Sequence, residues 1–407
     1  MATGTGDFGV LSAVEGIRLS SVEAGVRYQN RRDVVVVEIA EGSTVAGVYT
    51  LNAFCAAPVK IARQHLSDNQ GKCRYWLINT GNANAGTGKQ GAVDALACCQ
   101  SLAELAGCDP SEVMPFSTGV IGERLPAGRI TAALPGALEQ LQPDNWLSAA
   151  KGILTTDTRP KGLTRTLQLN GRTVTITGIS KGAGMIKPNM ATMLAYVATD
   201  LSVDYAQLQA LLSDAVSQSF NRITVDGDTS TNDCCMLAAT GRAGVAFTEL
   251  SDSDKAQFRG ALNEVLQSLA IQIIEDAEGA SKFVTIDVSG GETSKECLQV
   301  AYAVAESPLV KTALTASDPN WGRILAAVGR AGVPALDVDS VSVSLDAVPL
   351  VERGQLSADY SEEKGQAVMN QEAITISIDL GRGDAKERVW TSDLSEEYVR
   401  INASYRS

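Results

Sequence analysis

Residues 181–194 decide how this chain is interpreted, and they read Lys181-Gly182-Ala183-Gly184-Met185-Ile186-Lys187-Pro188-Asn189-Met190-Ala191-Thr192-Met193-Leu194. Two glycines and a proline keep this stretch from forming a regular helix or strand. Apart from its two lysines the stretch is uncharged, and residues 192–197 continue it into a largely apolar run. The pattern predicts a constrained loop that leads into a buried strand. Such a loop is either a tight turn without chemistry or a reactive segment.

The reactive alternative is self-cleavage of the bond between Ala191 and Thr192. A strained loop can press the Thr192 hydroxyl against the Ala191 carbonyl, so that the acyl group moves from nitrogen to oxygen and water releases a new N-terminal threonine. The freed α-amine has a reference pKa of about 7.7–8.0, and it can accept the hydroxyl proton in place of a histidine. A base other than histidine is needed because the chain has one histidine, His65, in a polar segment where a surface position is expected.

The segments around this loop alternate between strand and helix patterns. Residues 167–169 and 174–176 flank Asn170-Gly171, the preferred pair for a type I′ turn, and they predict a hairpin just before the loop. Apolar or alternating runs predict strands, and helical periodicity predicts helices. The strands are expected at 34–39, 74–79, 284–288 and 374–380, and the helices at 92–106, 203–220, 254–278, 297–305 and 322–330. This order predicts an α/β fold with mixed sheets, and a domain boundary near residue 285.

Other polar segments carry weaker signals. Gly86-Thr87-Gly88-Lys89-Gln90-Gly91 fits Gly-x-Gly-x-x-Gly, but residues 80–85 separate it from the preceding strand, so a Gly/Asn-rich turn is favoured over a dinucleotide site. Ser117-Thr118-Gly119 offers a hydroxyl and an N–H to an oxyanion, although an ordinary turn is the better interpretation of these three residues alone. Residues 221–233 lack calcium-loop spacing and predict supporting polar structure. Glu278 is interpreted as a helix-terminal surface residue, and residues 398–407 are expected to dock on the body of the protein.

Composition disfavours several classes of protein. The chain has 407 residues, which suits two or three domains or one large one, and a formal charge of −13. An acidic surface argues against nucleic acid and anionic membranes as partners, and no apolar run approaches the ~20 residues of a membrane span. The eight cysteines form no Cys-x-x-Cys pair, and we expect reduced, mostly buried thiols in a cytosol and no zinc site. The first residues lack the pattern of a secretory signal.

Taken together, the motifs resemble the ornithine acetyltransferases (glutamate N-acetyltransferases) of arginine biosynthesis. Residues 181–194 look like the cleavage and nucleophile segment of that family. The other matching motifs extend the resemblance, in the same order, from near residue 50 to the end: 79–85 (Asn-Thr-Gly-Asn-Ala-Asn-Ala), 117–122 (Ser-Thr-Gly-Val-Ile-Gly), 155–158 (Thr-Thr-Asp-Thr), 226–233 and 401–407 (Ile-Asn-Ala-Ser-Tyr-Arg-Ser). The ordered set is far more specific than any single motif.

The resemblance implies a layered αββα sandwich with mixed sheets, followed by a smaller C-terminal α/β domain. We place the larger domain at residues 1–285 and the smaller one at residues 286–407. It implies self-cleavage between Ala191 and Thr192 into chains 1–191 and 192–407, which pair as an α2β2 heterotetramer. Thr192 then becomes the nucleophile, while Thr118 and Gly119 supply the oxyanion hole. The implied substrate-binding positions are Thr155, Lys181, Thr192, Glu278, Asn402 and Ser407. The family often ends in threonine, where this chain has Ser407.

The implied reaction moves an acetyl group from N2-acetyl-L-ornithine to L-glutamate through an acetyl-Thr192 ester. The resemblance further implies a cytoplasmic enzyme without a metal or organic cofactor, and some family members also accept acetyl-CoA. Two alternatives stay open: a self-processing aminopeptidase with an N-terminal threonine, and a nucleotide-binding protein built around residues 86–91. Measuring acetyl transfer from N-acetylornithine to glutamate alongside peptide hydrolysis distinguishes the acetyltransferase from the aminopeptidase. An uncut chain that binds a dinucleotide would favour the second.

Overall fold

The computed structural model describes residues 2–187 and 193–404, which form sixteen strands and eleven helices. The strands are β1 (Ile17–Val22), β2 (Val34–Ile39), β3 (Thr44–Tyr49), β4 (Tyr75–Asn82), β5 (Val113–Val120), β6 (Lys161–Leu169), β7 (Arg172–Lys181), β8 (Leu194–Thr199), β9 (Ile223–Thr224), β10 (Cys234–Ala239), β11 (Phe283–Gly291), β12 (Ser342–Leu345), β13 (Val348–Glu352), β14 (Gln355–Leu356), β15 (Ala373–Asp379) and β16 (Ala385–Ser392). The helices are α1 (Ala57–Asp68), α2 (Gly88–Ala106), α3 (Ala127–Glu139), α4 (Trp146–Gly152), α5 (Tyr205–Ser217), α6 (Asp252–Glu275), α7 (Ser294–Ala305), α8 (Pro308–Thr315), α9 (Trp321–Gly329), α10 (Glu362–Met369) and α11 (Glu396–Ala403).

The strands form three sheets of mixed direction. Sheet I has the order β1-β2-β4-β5, sheet II has the order β3-β10-β8-β7-β6, and sheet III has the order β14-β13-β12-β15-β11-β16-β9. Within sheet I, β4 and β5 run parallel, as do β8 and β10 within sheet II. Of the helices in the described ranges, none combines the length and the apolar character that crossing a bilayer requires.

Sheets I and II pack face to face, and helices cover their outer surfaces. Strand β2 explains the arrangement, because Val35 and Val37 enter the core between the sheets while Val34 and Val36 enter the core beneath α2 and α3. Successive side chains of a strand point to opposite faces, so a strand buried on both faces reads as a continuous apolar run. Helices α5 and α6 cover the outer face of sheet II. The predicted αββα sandwich is therefore confirmed.

The hairpin before the 181–194 segment is also confirmed. Asn170 and Gly171 have φ values of 48° and 72°, the left-handed conformation that a type I′ turn requires of both central residues. This turn joins β6 to β7, and β7 pairs in turn with β8. Lys181, at the end of β7, lies opposite Leu194, at the start of β8. The two ends of the segment are therefore held side by side in sheet II.

Sheet III has a core of its own, formed with α7, α8, α9 and α10 and beginning at Val284. Two connections tie it to the rest of the molecule. Strand β9 precedes residue 285 in the chain, yet it pairs with β16, with Ile223 opposite Trp390. Tyr398 of α11 packs against the core beneath sheet II. Strand β11 spans the boundary predicted at 285, and the division into residues 1–285 and 286–407 stays a prediction.

Candidate active site

A cavity of about 280 Å³ opens where sheets I and II meet at one edge. It lies at the carboxyl ends of β4, β5 and β7 and at the amino ends of β8 and β10. Its volume is close to the lower end of the ~300–1,000 Å³ range of small-molecule sites. Six of the predicted site positions line it, although they come from five separate segments of the chain: Thr118, Gly119, Thr155, Lys181, Glu278 and Asn402.

Lys181 connects the two sheets at this cavity. Its Nζ donates hydrogen bonds to Thr118 Oγ1 at 3.1 Å and to Thr155 Oγ1 at 2.9 Å. Burial lowers the pKa of Lys181, and the Asp157 carboxylate opposes that shift. Since both of these acceptors are neutral hydroxyls, the ammonium is suited to bind a carboxylate in the cavity.

Glu278 lies in the cavity wall, and the prediction of a helix-terminal surface residue is wrong. Helix α6 ends at Glu275, and the backbone N–H of Glu278 instead donates to the Ala183 carbonyl at 2.9 Å. This turn leaves the residue only 8% exposed. Asn402 of α11 donates from Nδ2 to Glu278 Oε2 at 2.8 Å, so the C-terminal segment docks on the body as predicted through residue 404.

Thr118 and Gly119 lie within β5, and the interpretation of these residues as an ordinary turn is wrong. Gly119 has φ 135°, in the region that favours glycine. A Cβ added there would lie 2.3 Å from the Gly81 carbonyl carbon and 2.5 Å from Asn82 N on the neighbouring strand. Glycine is therefore required at position 119 for β4 and β5 to end side by side at the cavity.

Replacing this glycine tests that requirement. We expect Gly119→Ala to lower the free energy of unfolding by about 2–4 kcal/mol, because backbone strain and a backbone clash add together. Gly260→Ala is the matched control, since Gly260 lies inside α6 with nothing within 4 Å of the added Cβ. The control should stabilise the protein by about 0.5–1 kcal/mol. Thermal unfolding measures both, and equal effects would contradict the steric explanation.

Asp157 supports the cavity wall from behind, although no single motif in the sequence marks it as a site residue. Its carboxylate accepts hydrogen bonds from the backbone N–H groups of Thr155, at 3.0 Å, and Gly182, at 2.7 Å. Lys161 Nζ lies 2.7 Å from Asp157 and 2.6 Å from Asp276, with all three side chains fully buried. Burial alone would raise the pKa of Asp157, but Lys161 and Lys181 outweigh it and hold the pKa well below its usual range. The carboxylate thus fixes two segments that carry predicted site residues.

Breaking this buried ion pair should be costly. We expect Asp157→Asn to lower the free energy of unfolding at pH 7 by about 3 kcal/mol, because Lys161 loses one of its two buried carboxylates. The native pKa of Asp157 is depressed, so its contribution is present above the unfolded-state pKa of about 3.9 and is lost as the pH falls through the native value. Urea titrations at pH 7 and pH 3.5 should therefore show a smaller difference between wild type and variant at the lower pH. If the free energies of unfolding of wild type and variant differ by the same amount at both pH values, the depressed pKa assigned to Asp157 is contradicted.

The run 226–233, expected to be supporting polar structure, contributes directly to the cavity. Its residues Ser230, Thr231, Asn232 and Asp233 line the wall. Asp226 does have a supporting role: its carboxylate accepts from Met185 N at 2.6 Å, Ile186 N at 2.9 Å and the Tyr398 hydroxyl at 3.0 Å. Asp226 therefore joins the start of the 181–194 segment to α11. The match of this run to the family motif was the only sequence signal for these roles.

Three predicted site residues, Ala191, Thr192 and Ser407, lie outside the described residues. Met193, next to Thr192 in the chain, does line the cavity, and its carbonyl accepts from Cys234 N at 3.1 Å. On the other side, the Ile186 carbonyl accepts from Val225 N at 2.7 Å. On one side of positions 188–192, Met193 is therefore bonded to the first residue of β10. On the other side, Ile186 is bonded to Val225, in the segment that precedes β10.

Neither the cysteine thiols nor the imidazole is among the groups that line the cavity. All eight cysteines are described, they are free thiols, and none lines the cavity. Six are buried, as expected, and burial raises the pKa of Cys98, for example, to about 12. His65 is partly buried on α1 rather than fully on the surface, with its Nδ1 2.8 Å from the Val113 carbonyl oxygen. A Cys–His or Ser–His pair is therefore not assembled from the residues that line this site.

Comparisons with known proteins agree with the motif resemblance. A profile of the ArgJ family matches residues 18–407. The chain is 56% identical over 408 residues to the arginine biosynthesis bifunctional protein ArgJ of Pseudomonas syringae pv. tomato, with 100% of each chain covered. Among solved structures, it is similar to arginine biosynthesis bifunctional protein argJ of Bacillus halodurans, at 36% identity over 51% of this chain and 96% of that chain, with a TM-score of 0.48. It is also similar to ornithine acetyltransferase of Mycobacterium tuberculosis, solved in complex with ornithine, at 30% identity over 45% of this chain and 96% of that chain, with a TM-score of 0.39.

Proposed function

This chain belongs to the ArgJ family, and on that premise we propose that it transfers an acetyl group from N2-acetyl-L-ornithine to L-glutamate in arginine biosynthesis. One observation carries the proposal. Thr118, Gly119, Thr155, Lys181, Glu278 and Asn402 line a single cavity, and Met193, the neighbour of Thr192, lines it too. The motif resemblance gives these positions their roles, and their convergence on one small cavity supports that assignment.

The nucleophile is made by the chain itself. Thr192 Oγ attacks the Ala191 carbonyl carbon, the peptide C–N bond breaks, and an ester links residue 191 to Thr192. Water then hydrolyses the ester and leaves chains 1–191 and 192–407. The new α-amine of Thr192 has a reference pKa of about 7.7–8.0, so a useful fraction of it is neutral near pH 7. The neutral amine can act as the general base for the hydroxyl of the same residue.

Acetyl transfer proceeds in two half-reactions at this site. Thr192 Oγ attacks the acetyl carbonyl carbon of acetylornithine while the α-amine takes its proton, and Thr118 and Gly119 stabilise the negative oxygen. The amide C–N bond breaks, and ornithine leaves with the proton. The amine of glutamate then attacks the acetyl-Thr192 ester, the C–O bond breaks, and Thr192 Oγ is protonated again. One amide replaces another, so no further energy source is required, and one site serves both substrates in turn.

Charge placement in the cavity suits the α-carboxylate that both substrates carry and the side-chain amine of acetylornithine. Each is an amino acid or its N-acetyl derivative, with an α-carboxylate at a similar chain length. Lys181 supplies the cation for that carboxylate, and its hydrogen bonds to Thr118 and Thr155 fix the ammonium beside the oxyanion hole. Glu278, oriented by Asn402, supplies the opposite charge. The amino group of ornithine's side chain is the substrate cation that this carboxylate would bind.

Assembly, location and cofactor use follow from the family resemblance. We expect the two fragments to remain associated and to pair as an α2β2 heterotetramer in the cytoplasm. The reaction as written needs no metal or organic cofactor. Because some members of the family that the motifs resemble also accept acetyl-CoA, we propose acetyl-CoA as a second acetyl donor for glutamate.

A substrate comparison tests the proposed function. Purified protein should form N-acetylglutamate from acetylornithine and glutamate, and it should release no amino acid from unblocked peptides. Peptide hydrolysis without acetyl transfer would instead favour the self-processing aminopeptidase. An uncut, inactive chain that binds a dinucleotide would favour a site at residues 86–91.

A further inference from the structure

The chain just ahead of the proposed cleavage bond is bound by segments that lie far from it in the sequence. The Ile186 carbonyl accepts from Val225 N at 2.7 Å. At the next residue, the Lys187 carbonyl accepts from the Thr229 hydroxyl at 3.1 Å. Ala191, which supplies the carbonyl of the cleavage bond, comes four residues after Lys187. The approach to that bond is therefore fixed by tertiary contacts and not by regular secondary structure.

One of the residues on this approach has a strained backbone. Met185 has φ 56°, the left-handed conformation that residues with a Cβ adopt at a cost. The Asp226 carboxylate offsets that cost by accepting from Met185 N at 2.6 Å and from Ile186 N at 2.9 Å. The same carboxylate accepts from the Tyr398 hydroxyl of α11 at 3.0 Å. The bend at Met185 thus depends on residues that follow the cleavage bond in the chain.

The side chain of Lys187 is bound from the sheet III side of the molecule. Its Nζ lies 2.9 Å from Glu306 Oε2 and 6.0 Å from the centre of the Tyr302 ring. Tyr302 belongs to α7, and Glu306 directly follows the end of that helix. The Tyr302 hydroxyl donates in turn to the Asn221 carbonyl at 2.7 Å. The side chains of Lys187 and Glu306 are 37% and 21% exposed, so the pair is partly shielded from water.

This ion pair is separate from the groups that the proposed acetyl transfer uses. Lys187, Tyr302 and Glu306 do not line the catalytic cavity. No step of the acetyl transfer requires a charge at any of these three positions. The pair does, however, join α7 to the part of the chain that self-cleavage must hold in place.

We propose that Glu306 is a positioning residue for self-cleavage, which fixes the chain ahead of the cleavage bond by binding Lys187. The inference rests on the proposed function and deepens it by assigning how the cleavage step is controlled. The acyl shift from nitrogen to oxygen is intramolecular, and its rate depends on how closely the reacting atoms are held in the attacking geometry. Once the bond is broken, acetyl transfer no longer needs that geometry, so the role of Glu306 ends with cleavage.

The position of these contacts also sets an order of events. Glu306 follows a helix of the sheet III core, and Tyr398 lies on α11, the helix that also carries Asn402 of the catalytic cavity. The cleavage bond is therefore held for attack only after sheet III and α11 have packed against the sandwich. The chain is cut when its catalytic cavity is complete and not before.

Cleavage kinetics of the full-length chain test this role. The chain is made in a short pulse of cell-free translation, and the cleaved fraction is followed over time on a denaturing gel. Glu306→Gln and Lys187→Met should each slow cleavage by about tenfold, whereas Lys187→Arg keeps the cation and should stay within about threefold of wild type. Glu264→Gln is the matched control, because it removes a carboxylate that pairs with Arg165 at the surface of α6, and it should not change the rate.

Two further measurements distinguish positioning from general support. The double variant Glu306→Gln/Lys187→Met should cleave no more slowly than either single variant, because both substitutions remove the same contact. After cleavage is complete, N-acetylglutamate formation per cleaved chain should stay within about twofold of wild type in both single variants, because the pair acts only before the bond breaks.

The outcomes separate this inference from the function beneath it. Cleavage at the wild-type rate in Glu306→Gln would overturn the inference. An equal loss of cleavage and of acetyl transfer per cleaved chain would also overturn it, since the pair would then support the whole site. Slowing that adds up in the double variant would show that the two residues act separately and would contradict the pairing. A wild-type chain that is never cut would instead refute self-cleavage in the proposed function itself.

Discussion

Thr192→Ala should leave the chain whole and reduce acetyl transfer by at least ~10⁴-fold, which is the scale of losing a catalytic nucleophile. Without the hydroxyl, no acyl shift can break the bond after Ala191, so neither the second chain nor its α-amine is formed. A denaturing gel and a glutamate acetylation assay measure the two effects in the same preparation. Both losses should occur together, because one side chain serves both reactions.

Two companion variants define how this result is interpreted. Thr192→Ser retains a hydroxyl and should still cleave and transfer acetyl, at reduced rates. Thr131→Ala, on the surface of α3, removes a threonine hydroxyl whose partner is the Gly128 carbonyl and should change neither reaction. If Thr192→Ala is uncut yet still transfers acetyl groups, then Thr192 is not the nucleophile.

Lys181→Met should raise the KM for acetylornithine and for glutamate by about 100-fold each, the equivalent of roughly 3 kcal/mol. The expected size reflects the loss of a buried cation from a carboxylate that both substrates carry. Burial lowers the pKa of Lys181 below its model-compound value of 10.5. In the wild type, kcat/KM should therefore fall on the alkaline side at a lower pH than an exposed lysine would give, because substrate binding needs the protonated amine. The variant should lack this alkaline decline.

Lys151→Met serves as the control for that experiment. Lys151 lies in the last turn of α4, is exposed and does not line the cavity. Rates for both variants are compared per cleaved chain, so that an effect on cleavage is not mistaken for an effect on binding. A KM increase limited to one of the two substrates would contradict a shared carboxylate site.

The sequence predicted those turns, strands and helix ends whose conformation is set by the residues within them. Asn170-Gly171 specifies its own turn, and the valine run of β2 specifies a strand buried on both faces. Helix α2 stops at Gly107, whose φ of 70° is the left-handed conformation of a helix C-cap. The motif resemblance then supplied the site residues, and six of them do line one cavity.

What the sequence could not provide depends on contacts between distant segments. Periodicity extended α6 through Glu278, but the bond from that residue to Ala183 comes from another part of the chain and ends the helix earlier. Ser117-Thr118-Gly119 resembles a turn because no local signal reports the close approach of Gly81. Asp157 looks like any loop aspartate until its contact with Gly182, 25 residues further along the chain, is seen. Contacts between separate segments of the chain leave no periodic trace in the sequence.

The intact mass of catalytically active, wild-type protein tests the central claim most directly. We predict two polypeptides under denaturing conditions, with masses matching residues 1–191 and 192–407, and an N-terminal sequence of the second that begins Thr192-Met193-Leu194. Activity should rise in proportion to the cleaved fraction. A single species of 407 residues that carries full acetyl-transfer activity would contradict the account.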